Sequence, residues 1–146
     1  SGGDMSIYQT TTTSFRVELL EAVHNFTTDT FFIALYTGSA DIGANTTAYT
    51  SSGEASGTGY TAGGAVLTPI TPSYDPIANV AYVSFANVTW TPASFTCRGA
   101  LIYNSSVTGN PSVVVLDFGG AKTSTAGTFQ IIFPAADASN AIIRIA

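Results

Sequence analysis

The sequence predicts a mainly β protein, an antiparallel β-sandwich or jelly-roll-like single domain with one short N-terminal amphipathic helix. Three observations carry this. Only one stretch repeats apolar residues at helical spacing. After residue 30 the chain alternates short runs rich in Val, Ile, Thr and aromatics with clusters of turn-forming residues. With 146 residues and no internal repeat, the chain suits one domain that can bury a sizeable core.

Along the chain the expected elements begin at the N-terminus. Residues 1–4, SGGD, look like a cloning remnant before Met5, which leaves a domain over 5–146. That start has no basic region and no apolar stretch of the kind a signal peptide needs, so export by that route is not expected. Residues 6–13, SIYQTTTT, read as a short extended arm able to reach a neighbouring subunit. A helix is expected over 14–26, with Phe15, Leu19, Ala22, Val23 and Phe26 on one stripe. Ser14 is its expected N-cap, Glu18 and Glu21 suit the dipole, and Asn25 is its expected stop. Strands are then expected at 30–37, 65–70, 80–85, 88–90, 95–103, 112–118, 128–133 and 141–146. The first is apolar throughout, so both of its faces should be covered. Pro69 moves 65–70 to an edge, and Gly99 marks a bulge in 95–103. Turns are expected at Thr108–Pro111, at Gly119–Gly120 and at Asp137–Asn140. Between the first two strands lies a Gly/Ser/Thr/Ala loop, 38–64, long enough to suggest a function or a packed partner.

Composition narrows the function. Charged residues make up 9% of the chain, against about 25% in an ordinary soluble domain. Such a weakly charged surface tolerates being packed against neighbours, as in an assembly. The net charge is −5, and the four basic residues, Arg16, Arg98, Lys122 and Arg144, are scattered. Binding to nucleic acid or to an anionic membrane draws on clustered cations, so neither is expected. No apolar run approaches 18 residues, and the single cysteine, Cys97, excludes an intrachain disulfide.

Residues 57–62, Gly-Thr-Gly-Tyr-Thr-Ala, spell G-x-G-x-x-A, a form of the dinucleotide-binding fingerprint. That motif works only between a buried strand and a helix whose N-terminal amides meet the phosphate. Here TAYTSSGEA precedes it, and Pro69 and Pro72 interrupt the segment after it, so no cofactor is expected. The expected role of Glu54, Gly57, Gly59, Tyr60, Gly63 and Gly64 is a structural loop. Cys97, His24 and an aspartate could form a thiol triad, but a buried inert thiol and a helix-end histidine are the simpler readings. No pair among Glu18, Glu21, Glu54, Asp41, Asp75, Asp117 and Asp137 stands out as glycosidase carboxylates. One His and one Cys cannot build a zinc site, and the loops around Asp41 and Asp137 do not match the EF-hand pattern. Catalytic and metal residues are therefore not assigned. Tyr49, Tyr60 and Tyr74 are candidate contacts for a ligand or partner, including a glycan, whereas Trp90 reads as core. Sequons at Asn25, Asn45, Asn87 and Asn104 matter only in a eukaryotic secretory setting.

Four separated motifs stand in order along the chain. They are Thr28-Asp29-Thr30 leading into Phe31–Tyr36, the run Tyr49–Leu67 containing E-x-S-G-T-G-Y-x-x-G-G, Arg98-Gly99-Ala100-Leu101-Ile102-Tyr103-Asn104 after Trp90, and Asp117-Phe118-Gly119-Gly120-Ala121-Lys122-Thr123. From about residue 14 onward this pattern resembles a family of small virion-associated proteins of tailed bacteriophages. The resemblance implies a non-enzymatic structural protein located in the virion, either capsid-decorating or tail-associated. Its partners would be other virion proteins and further copies of itself, with a trimer expected. It supplies no catalytic residues. The alternatives are a receptor- or carbohydrate-binding tip module and, behind it, a small hydrolase.

Overall fold

The computed structural model describes residues 6–146, and the expected cloning remnant with Met5 lies outside them. The elements run β1 (Thr10–Thr11), α1 (Thr13–Leu20), β2 (Phe31–Tyr36), β3 (Ala65–Leu67), β4 (Pro69–Asp75), β5 (Val80–Phe85), β6 (Val88–Asn104), β7 (Ser112–Ile131) and β8 (Ile143–Ile145). They form two antiparallel sheets, one ordered β1-β7-β6-β2-β3 and the other β4-β5-β8. This is the predicted mainly β, sandwich-like fold with one short N-terminal helix. No helix among the described residues is long and apolar enough to cross a membrane.

Side chains alternate across a strand, so β2 serves two cores. Phe31, Ile33 and Leu35 enter the main core with Val83 and Phe85 of β5 and Ile143 of β8. Ala34 and Tyr36 enter a second core on the outer face of the five-stranded sheet. That outer core also holds Leu101, Tyr103 and Val115, and Ile7, Ala40 and Ile42 roof it. The continuous apolar run in β2 is thus explained. The second sheet covers one face, and the arm with the long loop covers the other.

The N-terminal arm does not extend toward a neighbour. It lies on its own chain, with Thr10 and Thr11 paired to Val115 and Val114 and Ile7 bridged to Ile42. This pairing also moves the helix. Thr12 N–H donates to Val113 O, and Thr12 rather than Ser14 is the N-cap, its hydroxyl accepting from Phe15 N–H at 3.3 Å. The helix stops at Leu20, well short of Asn25. Ala22 N–H donates to Leu19 O, Val23 N–H donates to Glu18 O, and Ala22 has φ +61°. This is a Schellman end with alanine in the left-handed position that usually takes glycine. Glu18 and Glu21 therefore sit at the helix C-terminal end, not where they would favour the dipole, and Phe15 is the only buried residue of α1. Phe26 reaches the core from the following turn, stacked on Phe31 at 4.6 Å.

The strand boundaries differ from expectation in three places. The expected strand 65–70 divides at Thr68 into β3 and β4, which belong to different sheets. Pro69 opens β4, an edge strand, where its missing N–H costs no ladder bond. The expected strands 88–90 and 95–103 are one strand, β6, which runs through a cis Thr91–Pro92 bond. Likewise 112–118 and 128–133 join as β7, so Gly119–Gly120 is not a turn between strands. Each long strand gives the other a continuous partner, and bulges absorb the twist. One of them lies between Cys97 and Gly99, as Gly99 suggested. The turns at 108–111 and 137–140 are present. Asp137 accepts from the backbone amides of Ser139 and Asn140 and from the Asn140 side chain, and the Asn140 side-chain bond, ahead of the Ser139 amide, holds its carboxyl below the usual range.

Candidate functional site

The long loop completes the five-stranded sheet. Beyond the short β3, residues 53–55 run along the remaining edge of β2, where Thr37 N–H donates to Gly53 O and Ala55 N–H donates to Leu35 O. The last β2–β6 pair is Tyr36 with Gly99. Past that point the loop takes the place of β2 beside β6, with Ser94 N–H donating to Thr58 O at 2.9 Å. This close passage explains the glycines. At Gly59, φ +86°, a Cβ would overlap the Pro92 carbonyl, and at Gly64, φ +88°, it would overlap the Ile33 carbonyl. The glycines admit the protein's own strands.

Glu54 fastens the loop. Its Oε1 accepts from the Tyr49 hydroxyl at 2.6 Å. Its Oε2 accepts from the Tyr60 hydroxyl and from Gly63 N–H, the latter at 2.8 Å. The Tyr60 oxygen in turn accepts from Leu35 N–H in β2 at 2.9 Å, so the carboxylate is tied through one phenol to the sheet. Two further tyrosines project from the outer face of the sheet. Tyr103 donates to Gly63 O, and Tyr36 donates to Thr50 O at 2.6 Å. The Tyr103 ring packs on Tyr49 at 4.9 Å, and Tyr60 meets Phe95 edge-on at 5.6 Å. Burial and the charge of Glu54 push the Tyr103 hydroxyl up to about 12. Burial first, and Glu54 second, raise Tyr36, Tyr49 and Tyr60 as well. All four phenols are held as neutral donors to acceptors inside the loop.

The predicted loop residues Glu54, Gly57, Gly59, Tyr60, Gly63 and Gly64 therefore come together. The candidate contact residues do not. Tyr49 and Tyr60 point their hydroxyls at Glu54, while Tyr74 stands apart on β4, 69% exposed. Trp90 packs in the core. Sequence reasoning missed Tyr36 and Tyr103. Their signal was parity along a strand, since both belong to the outward-facing set of a run apolar on both faces.

The other candidates separate. His24 is buried rather than exposed at a helix end. Its Nε2 bonds Glu18 Oε1 at 2.9 Å and its Nδ1 accepts from Asn104 Nδ2 at 3.1 Å, so both ring nitrogens are engaged. Asn104 Nδ2 also donates to Asp29 at 2.8 Å, and its Oδ1 accepts from Ser106 N–H, which fixes the amide orientation. Glu18 is thus partnered instead of solvated. Cys97 lies seven residues from Asn104 along β6, roughly 20 Å at about 3.3 Å per residue, so the structure brings no Cys97–His24 pair together. Burial pushes the Cys97 thiol up to about 12, away from the thiolate a nucleophile needs. Asn104 is fully buried, which removes its sequon from consideration, and Asn87 Oδ1 accepts from Phe133 N–H. Among the described residues no three His, Cys, Asp or Glu side chains cluster as a metal site.

Apolar surface is exposed elsewhere. Phe15, Leu19 and Leu20 of α1 face Ile143 and Ile145 of β8 across a groove of about 600 Å3. Leu20 is 90% exposed and Ile145 54%. No family model matches the chain, and no curated protein or solved structure matches it.

Proposed function

We propose that the protein is a non-enzymatic structural component of a tailed-bacteriophage virion, either a capsid-decorating or a tail-associated accessory protein. One observation carries this reading. The residues most characteristic of the resembled family, Glu54, Gly57, Gly59, Tyr60 and Gly63, fasten a loop to a sheet, with both carboxylate oxygens of Glu54 accepting hydrogen bonds from that loop. A signature written in loop-fastening residues belongs to a scaffold, and the weakly charged surface suits packing among neighbours. Mass spectrometry of purified particles tests it. A fixed copy number per particle is the expected result, and a protein absent from purified virions would overturn the reading.

The exposed ring of Tyr74 favours a second reading, a receptor- or glycan-binding module on the same particle. Glycan-array binding that disappears in Tyr74→Ala would replace the first reading with this one.

A further inference from the structure

We infer that the groove between α1 and β8 is a self-assembly surface, and that its occupant is the β4–β5 hairpin tip of a second copy of this chain. The inference deepens the virion reading by naming a surface through which copies would associate. Two features of the molecule match in chemistry. The groove has an apolar floor with Arg16 in its lining, and Arg144, also in the lining, donates to Ala138 O and lies near Asp137. These arginines are two of only four basic residues in a chain of net charge −5. The hairpin tip, residues 75–79, offers the complement. Ile77 is 93% exposed beside Asp75. Asp75 Oδ1 holds the turn by accepting from the amides of Ile77 and Ala78, and Oδ2 has no partner among the described residues. An isoleucine on the groove floor and a carboxylate against the Arg16 guanidinium would satisfy both features at once.

Topology favours a reciprocal contact. Ala81, just past the tip, pairs with Ile145 of β8, so tip and groove share one end of the three-stranded sheet. A two-fold axis there lets each copy give its tip and receive the other's. Pairing β8 directly with β8 of a second copy about Arg144 would set two arginines opposite each other, which is unfavourable. The carboxylate-bearing tip has no such conflict.

Sedimentation velocity of the purified chain alone, over a concentration series, tests this separately from particle composition. Leu20 and Ile77 are almost fully exposed, so Leu20→Lys and Ile77→Lys should leave thermal unfolding of the dilute protein unchanged. The parent should self-associate, and each variant should weaken association by about tenfold or more. Arg16→Glu should weaken it too, because it sets a second carboxylate against Asp75 of the incoming tip. A parent that is monomeric throughout overturns the inference, whether or not another protein takes the groove. So does association that both lysine variants leave intact, or that Arg16→Glu leaves undiminished. Failure here leaves the copy number in virions free to come out either way.

Discussion

The two sides of this molecule treat exposed apolar surface in opposite ways. On the outer face of the five-stranded sheet, Ala34, Leu101 and Val115 would be bare, but the chain's own arm and loop cover them. At the end where α1 meets β8, Leu20 and Ile145 remain open. The covered side is sealed with polar chemistry, since Tyr49 and Tyr60 donate to Glu54 while Tyr36 and Tyr103 donate to backbone carbonyls of the loop. Burial that the chain completes itself is fastened by hydrogen bonds, and the groove it leaves open is apolar with Arg16 and Arg144 in its lining. This matches the anatomy of an interface, an apolar centre inside a polar edge.

The comparison breaks most sharply at Gly64. Gly64→Val would combine strain at φ +88° with overlap on the Ile33 carbonyl, and should cost at least about 3 kcal/mol. Chemical unfolding, or loss of soluble protein, would register it. At Glu54, Glu54→Ala strands two phenols and the Gly63 amide and should cost about 1–3 kcal/mol. Glu54→Gln should recover part of that loss, because the amide keeps one accepting oxygen for Gly63 and Tyr60 while Tyr49 can turn to accept. Equal stabilities for the alanine and glutamine variants would show that Glu54 acts as filler and not as an acceptor.

The same side carries the pH dependence. The four phenols have folded pKa values raised above the unfolded value of about 10. Their contribution is complete below pH 10 and declines as pH rises above it, because only the unfolded chain then releases the protons readily. Alkaline unfolding should therefore begin above about pH 10 and coincide with a rise in tyrosinate absorbance. Tyrosinate appearing well before unfolding would contradict the burial of the cluster.

Smaller effects are expected on the open side. Ala22→Gly relieves a left-handed alanine at the end of α1 and should stabilise the protein by about 1 kcal/mol, read as a higher melting temperature. Tyr74→Ala removes an exposed ring and should change stability by less than about 0.5 kcal/mol. A larger loss would mean that Tyr74 is packed in the folded protein.

Much of the fold was legible because β patterning is local. The two-sided burial of β2, the Gly99 bulge and the edge position after Pro69 all follow from residues within a few positions. The merging of four expected strands into β6 and β7 was not legible, since Gly119–Gly120 and Pro92 read as breaks until each long strand supplies the other with a ladder. The helix ran too long in prediction because its stop uses alanine where the readable signal is glycine or asparagine. At the site, the glycines and Glu54 announced a structured loop. The partners of Glu54 were visible only as tyrosines, and their convergence depends on pairings between distant segments. The groove was invisible in sequence, because Leu20 and Ile77 look like ordinary apolar residues until their exposure is known.

The contrast between a side sealed by the chain and a side left for a second copy is tested most directly by amide hydrogen exchange at two protein concentrations. The amides of Ala55, Gly63 and Gly64 should be protected like those of β2 at both concentrations, since Leu35 O, Glu54 and Thr61 O hold them within one chain. The amides around Leu20, Ile77 and Ile145 should gain protection only at the higher concentration. Fast exchange across 53–64, or protection at Leu20 and Ile77 that ignores concentration, would contradict the account.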